Sequence, residues 1–252
     1  MHETLFIGKK IVNLDSIEST NSYAAEELQK GKLPEGTIIR TLFQSKGKGY
    51  AASAWQSEPG KNLLFSVILY PVFLAPKQQF FLNEIASLAV ADTLDSFIPK
   101  KKVRIKWPND VFIGDKKVAG ILIENSVKGP TIQHSILGIG MNVNQKKFDP
   151  FLKYATSIIL ETGEEMKLDE LLAQLCSHLE KRYLQLKQEQ MSRLVKDFMK
   201  KLYRVNQLTA FAAGNQKFRG KIVGISAEGK LVIEMNGAHE VFGFKEIEMV
   251  LE

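Results

Sequence analysis

The residues with the most chemical content stand close together: Lys106-Trp107-Pro108-Asn109-Asp110 and, after a short strand and a turn, Lys117 and Gly120. Two ammonium groups, an amide and a carboxylate gather in one short stretch, and polar groups anchored on rigid strands are how a site is held in place. A hairpin has to position them. The runs from Val103 to Trp107 and from Val118 to Ile123 read as strands. Pro108-Asn109-Asp110 is turn chemistry, because Pro sets φ and Asn and Asp can bond their own backbone. Gly114-Asp115-Lys116 reads as the hairpin turn before Lys117. A segment of this kind is, by itself, also compatible with a solvated hairpin carrying an edge lysine. Three further polar stations stand at expected strand ends: Ser19-Thr20-Asn21, Gln44 with the glycine-rich stretch Ser45 to Trp55, and Asn142 within Gly138-Ile139-Gly140-Met141-Asn142-Val143-Asn144. Individually they read as a helix cap, an exposed strand end and a turn residue.

The length of the central string carries more than its parts. Lys-Trp-Pro-Asn-Asp followed by Lys117-Val-Ala-Gly-Ile-Leu-Ile-Glu124 resembles the signature of biotin–protein ligases, and Gly138 to Asn144 resembles that family's Gly-x-Gly-x-Asn segment. The resemblance runs from about Asp15 to the C-terminus. It implies that biotin and Mg-ATP form biotinyl-5′-AMP, after which a lysine of a biotin carboxyl carrier protein, or of the carrier domain of a carboxylase, takes the acyl group and AMP leaves. Such a reaction calls for cations where charge builds at the carboxylate–phosphate junction. It also calls for a lid that keeps water from the acyl-adenylate. The resemblance assigns Ser19, Thr20, Asn21, Gln44, Lys48, Gly49, Tyr50, Trp55, Lys117 and Gly120 to biotin. Ser19, Thr20, Asn21 and Gln44 would meet the ureido head, and Trp55 would flank the ring and valeryl chain. Lys117 would be the main electrostatic catalyst, on the carboxylate and α-phosphate oxygens. Lys106, Asn109 and Asp110 would organise phosphate and magnesium, and Asn142 would contact the nucleotide.

The stretch Gly47-Lys48-Gly49-Tyr50-Ala51-Ala52-Ser53-Ala54-Trp55 departs from the family form, which is close to Gly-Arg-Gly-Arg-x-Gly-x-x-Trp. Lys48 keeps a charge but loses the bidentate fork. Tyr50 removes a charge, and Ala52 restricts a backbone position where the family has glycine. Either the adenylate is retained less tightly, or another cation compensates. Tyr50→Arg separates the two: slower adenylate release is expected in the first case, and release at the wild-type rate removes it.

The remaining features bound the class. The 252 residues are 44% hydrophobic and 25% charged, room for one large domain and a small one. The net charge of +6 comes from dispersed lysines, with one short cluster at Lys100-Lys101-Lys102, and no helix-turn-helix, zinc-finger or RNP-type motif is visible. No nucleic-acid partner is expected. The start, MHETLFIGKKIVNLD, lacks the apolar core of a signal peptide, and no run has the length of a membrane span. Together with a single cysteine, Cys176, this leads to an expectation of a cytoplasmic protein without disulfides or membrane contact. His2, His134, His178 and His239 are scattered, so the protein by itself offers no metal site, and magnesium would arrive with ATP. The Gly-x-x-x-x-Gly-Lys-Ser/Thr pattern is absent.

The expected fold is α/β (α+β): a mixed sheet with helices on one side over residues 1–204, then a small SH3-like β-barrel over 205–252. A helix should follow Ser19 or Thr20 as its cap and end at Gly31, and another should open at Ala75-Pro76 with Phe81, Ile85, Leu88 and Leu94 on one face. Leu168 to about Leu186 and Met191 to Tyr203 read as two more. From Leu208 the pattern turns to short strands with turns at Gly214-Asn215, Glu228-Gly229 and Asn236-Gly237. The resemblance is to the shorter ligases without an N-terminal DNA-binding domain. Family members often pair through the catalytic sheet, and the residues decide neither monomer nor dimer. Two other readings compete: a lipoate or octanoate transferase, which for octanoyl transfer would want a cysteine nucleophile, and a module that holds biotin or its adenylate without turnover.

Overall fold

The computed structural model describes residues 4–49 and 53–250. Seven strands form the main sheet: β1 (Ile11–Ile17), β2 (Ile38–Gln44), β3 (Leu63–Leu69), β4 (Val103–Lys106), β5 (Asp110–Ile113), β6 (Lys116–Lys128) and β7 (Thr131–Met141). Their order is β1-β2-β3-β7-β6-β5-β4, with β1 parallel to β2 and every other neighbour antiparallel.

Side-chain alternation splits the residues between two faces. Leu63, Phe65, Val67 and Leu69 of β3, with Leu137, Ile139 and Met141 of β7, enter the large core. That core is closed by α2 (Phe80–Phe97), which packs on α4 (Leu168–Lys187) and α5 (Met191–Lys201). The other face carries Ile39, Ile68 and Ile136, and these pack with Ala24 of α1 (Thr20–Lys30) in a second, smaller core. Helices therefore cover both faces, not one. The physical reason lies in β3, every residue of which is buried: a strand apolar on both sides needs cover on both. α1 covers only part of its face and leaves the rest open for a cavity.

Local expectations are met with corrections. Ser19 precedes α1 without any side-chain capping bond, and Gly31 ends it in an extended conformation instead of a left-handed one. Pro76 opens a 3-10 turn, Pro76–Gln78, and the helix itself begins at Phe80. The connection after Tyr154 runs into an unforeseen one-turn helix, α3 (Ile158–Thr162), where Ser157 Oγ accepts from Leu160 N and Gly163 takes φ 80°.

The C-terminal unit is a five-stranded antiparallel sheet of β8 (Leu208–Ala213), β9 (Gln216–Ile225), β10 (Leu231–Met235), β11 (Ala238–Phe242) and β12 (Glu248–Met249), in the order β11-β10-β9-β8-β12. Its apolar residues Phe211, Ile222, Leu231 and Ile233 are continuous with the large core. It is tied to the 106–120 hairpin at two points. Trp107 donates through Nε1 to Gly229 O (2.9 Å) and stacks on Phe244 with ring centroids 5.2 Å apart. Gly229, at φ 82°, lies against Phe80 so closely that a Cβ there would fall 2.1 Å from that ring, which leaves no room for a side chain. At the connection, Tyr203 N donates to Ile105 O (2.8 Å) and the Tyr203 hydroxyl bonds Asp115 Oδ1 (2.6 Å). No helix among the described residues is long and apolar enough to cross a membrane.

Candidate active site

A cavity of about 500 Å³ opens on the α1 face of the sheet. Its floor is set by strand register. One cross-strand line runs Lys106, Asp110, Gly120, Gly140, Leu64, Thr41, and the next runs Leu122, Gly138, Ser66, Ile39. Three glycines in this floor have no side chain because other groups lie directly on the backbone. A Cβ on Gly140 would sit 2.5 Å from the Trp55 indole, one on Gly120 2.9 Å from the same ring, and one on Gly138 2.3 Å from Asn21 Oδ1. The Gly-x-Gly spacing thus seats Trp55 and Asn21 on the sheet. Trp55 Nε1 is buried with no partner among the described residues, a donor held in reserve on the cavity floor.

Lys117 reaches this face because of a β-bulge. Val111 pairs with Ala119 and Phe112 with Lys117, so Val118 is the extra residue. Val118 and Ala119 both enter the large core, and the phase of the strand shifts so that Lys117 emerges on the cavity side. Its backbone is clamped, with N donating to Tyr154 O (2.6 Å) and O accepting from Thr156 N (2.9 Å). Its Nζ pairs with Asp110 Oδ1 at 2.6 Å and lies 5.5 Å from the centre of the Trp55 ring. Asn109 is fixed by Nδ2 to Ile121 O (2.7 Å). No carboxylate lies within ion-pairing distance of Lys106 among the described residues. Burial pushes the Lys106 ammonium below its ordinary pKa, Asp110 and Glu248 pull it back, and the Lys117 charge adds to the depression. An anion entering here would relieve Lys106.

At the other end, Gln44 Oε1 accepts from Thr20 N (2.7 Å) and lies 3.1 Å from Thr20 Oγ1. The Ser66 hydroxyl lies 2.7 Å from Thr20 Oγ1 and 2.6 Å from Asn21 Oδ1, and Asn21 Nδ2 donates to Glu124 Oε2 (2.7 Å) and Leu122 O (3.3 Å). Lys48, Gly49, Ser53 and Trp55 line the cavity beside this floor. Trp55 N donates to Gly47 O (2.8 Å) and Gly49 N to Ser53 O (2.7 Å).

Of the residues expected at the site, Ser19, Thr20, Asn21, Gln44, Lys48, Gly49, Trp55, Lys106, Asn109, Asp110, Lys117 and Gly120 all line this one cavity. Tyr50 and Ala52 lie outside the described residues. Asn142 does not reach the wall. It is buried behind it, where Nδ2 donates to Thr156 O (3.0 Å), and it carries the 154–158 connection against which Lys117 is clamped. Its Oδ1 is buried with no hydrogen-bond partner among the described residues. Sequence reasoning missed Ser66, the partnership of Glu124 with Asn21, and the C-terminal residues Lys245, Glu246 and Glu248 that form the far wall. Cys176 is buried, and burial pushes its thiol up to about 12, which removes it as a nucleophile.

The model of the biotin/lipoate A/B protein ligase family matches residues 14–142, just over half of the chain. The chain belongs to that family. Its relatives include the bifunctional ligase/repressor BirA of Bacillus spizizenii, 32% identical over 92% of this chain and 71% of that one. The biotin–[acetyl-CoA-carboxylase] ligase of Paracoccus denitrificans is 28% identical over 90% of this chain and 97% of that one. Among solved structures, the biotin protein ligase from Aquifex aeolicus in complex with biotin and ATP superposes with a TM-score of 0.82 at 26% identity, covering 97% of this chain and all of that one. The matched span of the family ends at Asn142, so the C-terminal wall of the cavity lies beyond it.

Proposed function

We propose that this protein is a biotin–protein ligase that activates biotin with ATP to biotinyl-5′-AMP and transfers the biotinyl group to a lysine of a carboxylase carrier domain. The observation that carries the reading is the meeting, in one cavity, of a neutral hydrogen-bonding end at Thr20, Gln44 and Asn21 with a cationic end at Lys106 and Lys117. A cyclic urea suits the first, and a carboxylate facing a triphosphate suits the second. The named activities of the Paracoccus and Aquifex relatives support it.

The biotin carboxylate attacks the α-phosphorus and pyrophosphate leaves. The acceptor amine then attacks the acyl carbon, a proton is lost from nitrogen, and AMP leaves. Lys117 neutralises the reacting oxygens in both halves, and Trp55, seated on the floor glycines, keeps water out. Magnesium suits the donor set at the cationic end. Asp110 and Glu248, which line it, would offer hard oxygen ligands, one or two carboxylates beside substrate phosphates being the usual magnesium arrangement. The metal would supply charge neutralisation on the leaving pyrophosphate. We take residues 1–204 as the catalytic unit and 205–252 as an SH3-like unit that closes the nucleotide side, working in the cytoplasm where ATP is supplied.

The test is mass spectrometry of the purified protein with Mg-ATP and, in parallel, biotin, lipoate or octanoate, followed by addition of a biotin carrier domain. Biotinyl-AMP from biotin alone, and then a carrier lysine heavier by one biotinyl group, is the expected result. An adenylate formed only from lipoate or octanoate would replace this reading with the other branch of the family. Biotin bound without any adenylate would replace it with a holding module.

A further inference from the structure

The polar end of the cavity contains a chain of hydrogen bonds with a direction. Asn21 is 3% exposed and spends its whole amide on the protein: both Nδ2 hydrogens go to acceptors, Glu124 Oε2 (2.7 Å) and the main-chain Leu122 O (3.3 Å). A carboxylate and a carbonyl cannot donate, so the amide cannot flip, and Oδ1 must face Ser66. Ser66 is fully buried in β3, and its single hydroxyl hydrogen is drawn to Asn21 Oδ1 at 2.6 Å. The Ser66 oxygen is then an acceptor for Thr20, 2.7 Å away, with Gln44 Oε1 at 3.1 Å as the alternative. By either route the Thr20 hydroxyl hydrogen is consumed inside the protein. What Thr20 Oγ1 turns to the cavity is a lone pair.

We propose that Glu124, Asn21 and Ser66 are positioning residues that fix the polarity of Thr20, so that this end of the cavity accepts a hydrogen bond from an N–H of the cyclic urea and rejects ligands lacking that donor. The inference rests on the biotin reading above and deepens it. None of the three needs to touch the ligand. Asn21, expected to contact biotin, acts through Ser66 and Thr20. Gly138 belongs to the device, since any Cβ there would push Asn21 Oδ1 off the Ser66 hydroxyl. A site built to receive one donor discriminates strongly against an analogue without it, because its own polar atom is left unpaired.

The experiment compares biotin with an analogue methylated on the ureido nitrogens, by titration calorimetry and by adenylate formation, in the full chain and in Ser66→Ala, Glu124→Leu and Glu124→Gln. Wild type should prefer biotin over the methylated analogue by at least about 100-fold, the scale expected when a buried acceptor is stranded. Ser66→Ala and Glu124→Leu should weaken biotin about tenfold and shrink the preference by a similar factor, with KM for ATP unmoved. Glu124→Gln, which keeps an acceptor oxygen, should restore most of it. A preference that survives both Ser66→Ala and Glu124→Leu overturns the relay. So does a loss that falls equally on biotin and the analogue, the sign of a merely structural role. Wild type that binds biotin no better than buffer overturns the biotin reading itself, and that outcome is visible before any variant is compared.

Discussion

Lys117→Met is expected to slow formation of biotinyl-AMP by about 10²- to 10³-fold, the loss that follows removal of one preorganised charge from a reacting oxyanion. The argument starts from how little else Lys117 does. Its ion pair with Asp110 is partly open to solvent, the two side chains being 34% and 22% exposed, so it contributes about 1 kcal/mol or less to stability. Its backbone bonds to Tyr154 and Thr156 survive any side-chain change. The variant should therefore fold and melt close to wild type while losing rate, which separates chemistry from structure. Methionine keeps the length that packs beside Gly120, where a Cβ on that glycine would lie only 3.2 Å from Lys117 Nζ. The measurement is single-turnover pyrophosphate release with saturating biotin and Mg-ATP. A fall of less than tenfold would shift the main electrostatic role to Lys106, the other floor cation, whose depressed pKa already marks it as under-compensated. Biotin affinity should drop much less than the rate, since the ureido end of the cavity is built from Thr20, Gln44 and Asn21.

The legible part of this site was the part written in residue types with few other uses. Lys106, Asn109, Asp110 and Lys117 announce a turn and two cations, and the register places the first and third on one line across the sheet. The glycines were readable as punctuation but not as seats: nothing local to Gly138 or Gly140 names Asn21 or Trp55 as what lies on them, because those contacts join residues more than 80 positions apart. Ser66 was illegible for a related reason. One hydroxyl inside Leu-Leu-Phe-Ser-Val-Ile-Leu reads as a tolerated interruption, and only the pairing of Ser66 with Gly138 reveals its partners. The side taken by α1 could not be read either, since a strand with apolar residues on both faces gives no clear preference between them. The bulge that turns Lys117 into the cavity depends on how β5 and β6 pair, which alternation within β6 does not encode. Asn142 was legible as a polar residue at a strand end, but its bond to the Thr156 carbonyl, 14 positions on, was not.

Glu84→Gln is expected to stabilise the protein above pH 8 and to do nothing near pH 4.5. Glu84 lies on the buried side of α2 at 2% exposure, and its Oε2 has no hydrogen-bond partner among the described residues. Burial alone raises its carboxyl from 4.5 to about 8. The sign follows from proton counting. Below the unfolded value both states hold the proton and the group exerts no pH-dependent penalty. As pH rises towards 8 the unfolded chain releases its proton while the folded chain keeps it, so unfolding gains about 1.4 kcal/mol per pH unit across that window. Above the folded value the penalty levels off, at an order of 4 kcal/mol after allowance for relaxation around the charge. An amide of the same shape never ionises and so removes the slope while keeping the packing. Urea unfolding of wild type and Glu84→Gln at pH 5, 7 and 9 should give curves that nearly coincide at the first pH and separate progressively, corresponding to roughly 10 °C in Tm at the last. A constant offset across all three would mean that the carboxyl titrates alike in both states, and the buried acid on α2 would then have to be hydrated or paired. Adenylate formation should be unchanged in this variant, because Glu84 faces the helix side of the sheet and the cavity lies on the other.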